Sequence, residues 1–147
     1  MSTTPASGEP DAAGSRDEDL IRCAVAKLNA GDVEGYLAGF FPDAPRWVSG
    51  LDRPLTISDI RANLAQLNEA FDRLHLGEDL LFGARGFVCA RWTLRGVHVG
   101  EYGGIAATHR DIAVESCEIY ALAGAKVVES WVYSDMTSLF DQIAQRP

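Results

Sequence analysis

The hydrophobic period changes once along this 147-residue chain, near residue 74, and that change limits the folds open to it. Before it, apolar residues recur every three to four positions: Leu20, Ile21, Ala24, Val25 and Leu28; then Val33, Tyr36, Leu37 and Phe40; then Ile60, Leu64, Leu67, Phe71 and Leu74. That is the spacing of one helix face, so three helices are expected. Beyond it the period is two. Leu76–Phe82, Phe87–His98, His109–Leu122 and Lys126–Asp135 read as strands, turning near Gly83–Gly86 and at Ala123-Gly124-Ala125. Arg46–Ser49 reads as a short additional strand. Helices followed by strands on tight turns define an α+β domain with a mostly antiparallel sheet.

Local signals refine this outline. Residues 1–14 are small, polar and Pro/Gly-containing and read as a disordered or loosely held tail, leaving 15–147 as one domain. Ser15 and Glu18 have capping-box spacing at the start of the first helix. Asp32 is placed to cap the second helix and Ser58 the third, while Pro42 and Pro45 mark a loop. Met136, Leu139, Phe140 and Ile143 predict a short terminal helix. A bent sheet wrapped over helices makes a cone with one open mouth and an apolar cavity.

The stretch Lys126–Gln142 carries the densest chemistry. Val127, Glu129, Trp131, Tyr133 and Asp135 stand at alternate positions and share a face if the strand is regular. Rings mixed with carboxylates suit a pocket wall. Asp135 falls where strand gives way to helix, so it reads equally as a helix N-cap.

Composition excludes several classes. The net charge is −8, and residues 1–19, with five carboxylates and one arginine, hold half of it. An acidic chain without a basic stripe argues against nucleic acid and anionic membrane as partners. No apolar run reaches the ~18 residues of a membrane span. No secretory signal is read, so a cytoplasmic location is expected. Cys23, Cys89 and Cys117 are odd in number and lack CxxC spacing, which points to small buried hydrophobes rather than a metal knuckle or disulfide framework. Gly100–Gly104 opens no helix and is not a phosphate loop.

Several segments together resemble the SnoaL-like polyketide cyclases of the NTF2-like cone folds, over roughly residues 18–145. They are Asn29-Ala30-Gly31-Asp32, Glu69-Ala70-Phe71-Asp72, Arg95-Gly96-Val97-His98-Val99-Gly100 with Gly103-Gly104, Ala107-Thr108-His109-Arg110, Ile119-Tyr120, Val128-Glu129-Ser130-Trp131, Asp135, and Leu139-Phe140-Asp141-Gln142-Ile143. His109 departs from the glycine usual at its place. The resemblance implies an enzyme without cofactor or metal that closes a ring of a tricyclic polyketide methyl ester by intramolecular aldol condensation. By position in the motif it makes Asp135 the general acid/base. It also implies a homodimer or homotetramer, because a second subunit often covers the open sheet face of such cones.

Further site candidates follow from placement. His98 ends a strand beside the glycine loop and His109 begins the next, so both are candidates for polarising a substrate carbonyl near the mouth, or are rim histidines. Arg91, on a central strand, must be paired or wet; it either binds a substrate anion or pairs with Glu129. Trp131 and Tyr133 are expected in the pocket with Asp135. Tyr36, Trp47 and Phe71 are stacking candidates for a flat polycyclic ligand, or core. A water-adding reaction such as epoxide opening would need a second group beside Asp135, for which Glu118, Glu129 and Asn29 are the candidates. The same scaffold hosts dehydratases and binding modules, so fold alone does not assign the reaction.

Overall fold

The computed structural model describes residues 12–144. In chain order the elements are α1 (Ala12–Asn29), α2 (Val33–Leu37), β1 (Arg46–Val48), α3 (Ile57–Ala70), β2 (Phe71–Ala84), β3 (Phe87–His98), β4 (Asp111–Ala123), β5 (Lys126–Ser134) and α4 (Met136–Ala144). The sheet order is β1-β5-β4-β3-β2, with β1 parallel to β5 and the other pairs antiparallel. The result is the expected α+β architecture, helices against a curved sheet and a short helix at the end.

Boundaries differ from expectation where tertiary contacts outweigh local signals. Helix α1 already includes Ala12, and Gly14 is buried within it; most of the predicted tail lies outside the described residues. Glu18 does not reach back to Ser15: its carboxylate accepts from the Gly83 N–H at 3.0 Å and ties α1 to β2. Helix α3 is capped by Thr56 in a capping box with Asp59, not by Ser58. It ends at Ala70, so Phe71 and Leu74 are strand residues, although they continue the helical spacing. Asp32 caps α2 as expected, accepting from the Gly35 N–H at 2.8 Å.

Alternation along the strands separates two faces. Val88, Ala90 and Trp92 of β3 and Tyr120 of β4 face inward and pack with Ile21, Val25, Tyr36 and Leu37. A second cluster joins Phe71, Ile112 and Val114 to Leu139 and Ile143 of α4. Each such aliphatic side chain contributes on the order of 1.5–3 kcal/mol when fully buried.

Three register shifts interrupt the ladders, one of them between Glu78 and Leu80. Between Asp72 and His75 the β2–β3 register shifts, and Arg73 takes φ 53° near the start of β2. Gly96 stands opposite the bulge, and a Cβ there would come within 3.0 Å of Leu74 Cδ2, so a glycine is what lets the bulged segment lie down. A further shift, between Ala121 and Leu122, turns Val127 inward while Glu129, Trp131 and Tyr133 point outward. The five alternate residues of Val127–Asp135 therefore do not share one face.

Candidate functional site: a charged base within the cone

Between the inner sheet face and α2–α3 lies a cavity of about 390 Å³. Leu28, Leu64, Leu67, Phe71 and Leu94 form its apolar wall; Tyr36, Arg46 and Glu118 form its base; Asn29, Asp72, Arg73 and His75 are also on its lining. Asn29 is held by Leu76, donating to its carbonyl at 3.0 Å and accepting from its N–H at 2.8 Å, which joins the end of α1 to β2.

The base is an ion pair with hydroxyls around it. Arg46 Nη2 stands 3.1 Å from Glu118 Oε1 and donates to the Tyr36 hydroxyl at 2.7 Å. The Tyr120 hydroxyl donates to Glu118 Oε2. Arg46 reaches Glu118 over β5, where its register partner is the small, buried Ser130, itself opposite Tyr120. The guanidinium also lies over the Phe40 ring, 5.5 Å from its centroid.

Electrostatics keep these groups in defined forms. Burial works against the Arg46 charge, but the Glu118 carboxylate and the tyrosine oxygens outweigh it and hold the guanidinium above its ordinary value. Burial raises both Tyr36 and Tyr120, the latter well above the usual phenol range with Glu118 adding to the effect. Both phenols thus stay protonated. Polar capacity is left over: Glu118 Oε1 has no aligned hydrogen-bond donor and Arg46 Nε no acceptor. Tyr36 accepts from Arg46, which leaves its own proton for another oxygen. An unsatisfied acceptor, an unsatisfied guanidinium N–H and a free phenolic proton at the base of one cavity are complementary to an oxygenated ligand.

Of the residues expected at the site, Tyr36 and Phe71 line this cavity. Glu118 and Asn29, expected only as partners of Asp135, line it too. Asp135 does not. It is exposed, accepts from the Ser138 N–H at 3.0 Å as the cap of α4, and lies on an outer groove of about 470 Å³ with Arg91, Glu115 and Tyr133. Trp131 and Tyr133 are on the outer face because β5 alternation places Ser130, Val132 and Ser134 inward. Arg91 is exposed on that same outer face and Glu129 is not its partner; Glu129 accepts from Trp47 Nε1 at 2.8 Å, which ties down the outward-facing Trp47.

His98 is fully buried at the inner end of β3, its ring 5.3 Å from that of Phe71. Nδ1 accepts from the Thr108 N–H at 3.2 Å and lies 2.9 Å from Thr108 Oγ1, while the buried Nε2 has no partner. His98 is therefore behind the Phe71 wall of the cavity. His109 is exposed, at φ 57°, and meets His98 only through its N–H, which donates to the His98 carbonyl at 2.8 Å. Among the described residues no three His, Cys, Asp or Glu side chains cluster as a metal site, and no helix is long and apolar enough to cross a membrane.

The fold and its polar-based cavity define an NTF2-like cone protein built around a small-molecule-sized pocket. The sequence model for the SnoaL-like polyketide cyclases matches residues 18–143, and the chain belongs to that family. No curated protein matches significantly. Among solved structures it is similar to AclR of Streptomyces galilaeus, a proposed hydroxylase, with 23% identity, TM-score 0.83 and coverage of 90% of this chain and 98% of that one. It is also similar to a proposed SnoaL-like polyketide cyclase of Jannaschia sp. CCS1 (17% identity, TM-score 0.83, 95% and 99% covered). IdmH of Streptomyces antibioticus, a proposed polyketide cyclase, aligns at 20% identity and TM-score 0.78 over 88% and 99% of the two chains. At these identities the likeness is one of fold.

Proposed function

We propose that this protein is a cofactor-free cyclase of aromatic polyketides, acting by acid/base catalysis at the base of the cone. The observation that carries the reading is Glu118: a buried carboxylate facing the cavity with one oxygen free of aligned donors, beside Arg46 and Tyr36. In the proposed step Glu118 takes a proton from a carbon flanked by carbonyls. The enolate carbon then bonds to a second carbonyl carbon of the same molecule, and that carbonyl oxygen becomes an alkoxide. Arg46 and the Tyr36 hydroxyl stabilise it through hydrogen bonds, and the proton held by Glu118 returns to give the hydroxyl. The product is an isomer of the substrate, so no redox partner enters.

The test is turnover of an uncyclised anthraquinone-type polyketide, offered as methyl ester and as free acid, by wild type and Glu118→Gln. The expected loss is about 10²–10⁴-fold with ligand binding retained. Full turnover by the variant would remove Glu118 from the mechanism. A second reading keeps Asp135 as the acid/base, in the outer groove with Glu115 and Arg91; Ser134, which lines both groove and cavity, favours it.

The outer sheet face supports assembly as a homodimer or larger. Phe82, Phe87 and Tyr133 are 51%, 46% and 53% exposed there, and an apolar sheet face of this kind suits a second copy. Light scattering should give at least about twice the 15.9 kDa chain mass; a mass equal to one chain would rule the dimer out. Cys89 Sγ and Cys117 Sγ stand 3.9 Å apart on that face, as a thiol–thiol hydrogen-bond contact.

A further inference from the structure

Four described residues other than glycine have positive φ: Arg73, Arg85, His109 and Ala125. Arg85 and Ala125 sit in hairpin turns next to Gly86 and Gly124, and His109 in a loop. Arg73 alone lies within a strand, at the β2 bulge, where glycine is the residue that fits without strain. A non-glycine residue in a left-handed conformation carries a backbone cost, which makes its side chain a starting point for a functional hypothesis. Arg73 is exposed where it lines the cavity and makes no ion pair within 4 Å among the described residues. The neighbouring Asp72 uses Oδ1 to accept from the Arg73 N–H at 3.0 Å, so the carboxylate secures the bulge backbone. His75 and Asn68 are further polar groups of the lining, whereas Leu28, Leu64 and Leu94 are apolar wall. The charged base around Glu118 is already internally neutralised by Arg46, so Arg73 is the cavity's uncommitted cation.

We propose that Arg73 is a specificity residue that binds a carboxylate on the substrate, so that the cavity selects a polycyclic free acid over its neutral ester. The inference rests on the cyclase reading of the cavity and narrows it, because the resemblance itself implies a methyl ester. The ligand places its enolisable carbonyls against Glu118, Arg46 and Tyr36, its ring system against the leucines, and its carboxylate on the Arg73 guanidinium. Hydrogen bonds to a charged group of this kind are the stronger ones in proteins.

Calorimetric titration with anthraquinone-2-carboxylate and with its methyl ester tests this without turnover. Wild type should bind the acid up to about fivefold more tightly than the ester, the range for a solvent-exposed ion pair. Arg73→Gly should abolish that preference while melting no lower than wild type, since glycine relieves the backbone; Arg73→Lys should retain part of the preference. Equal affinity of wild type for acid and ester, or an unchanged preference in Arg73→Gly, overturns the assignment of Arg73 and leaves the cyclase reading standing. Binding of neither probe overturns both.

Discussion

Arg46 of the edge strand β1 and Glu118 of β4 meet across an intervening strand, Nη2 to Oε1 at 3.1 Å, with side chains only 13% and 8% exposed. Neither charge is tolerable there alone. Arg46→Met should destabilise the protein by about 3–5 kcal/mol, because it leaves a buried carboxylate uncompensated. The melting temperature should fall by roughly 10 °C. Arg46→Met combined with Glu118→Leu should recover most of the loss; a double variant as unstable as the single one would show that the pair does not act as a unit.

In the proposed reaction Tyr36 offers its hydroxyl proton to the developing alkoxide rather than packing alone. Tyr36→Phe keeps the ring and removes the hydroxyl that accepts from Arg46. Turnover should fall about 10²–10³-fold in kcat, with KM little changed. An unchanged kcat would mean that another group donates to the developing alkoxide.

Alkaline stability follows from the two buried phenols. Burial raises Tyr36 and Tyr120 in the folded chain, so the unfolded chain loses those protons first. Their contribution is complete below about pH 10, the ordinary phenol value, and is lost as pH rises above it. Thermal unfolding across the alkaline range should show this decline, and Tyr36→Phe with Tyr120→Phe should flatten it.

Asp135 separates two sites in one experiment. As the α4 cap it should cost about 0.5–2 kcal/mol when changed to Ala and far less when changed to Asn. With the acid/base at Glu118, Asp135→Asn should turn over substrate at near wild-type rate. A folded Asp135→Asn without activity would instead place the chemistry in the outer groove.

The helix-then-strand order was legible because the hydrophobic period is a local property, and α2, α4 and the long hairpins follow it closely. The end of α3 was not. Phe71 and Leu74 keep helical spacing, but the chain is drawn into the β2–β3 ladder at Phe71, which pairs with His98. The site was half legible. Tyr36 and Phe71 stand out in the sequence as aromatics, and Glu118 as a group able to assist a reaction. In the sequence Arg46 is only part of a short strand, since nothing local says that an arginine three residues before a glycine turn reaches across a sheet to a carboxylate 72 positions on. Trp131 and Tyr133 were expected inside because alternation is visible in a sequence, whereas the bulge that moves Val127 to the other face is created by pairing with β4.

The three-residue strand β1 joins the sheet in parallel through only Arg46, Trp47 and Val48. By itself so short a rim would fray readily. Because one of its side chains neutralises Glu118, any excursion that peels this rim away also exposes an unmatched charge in the interior. The proposed reactive centre thus doubles as a latch on the periphery, and a ligand seated against Arg46 should slow amide exchange along β1, far from the bonds being made.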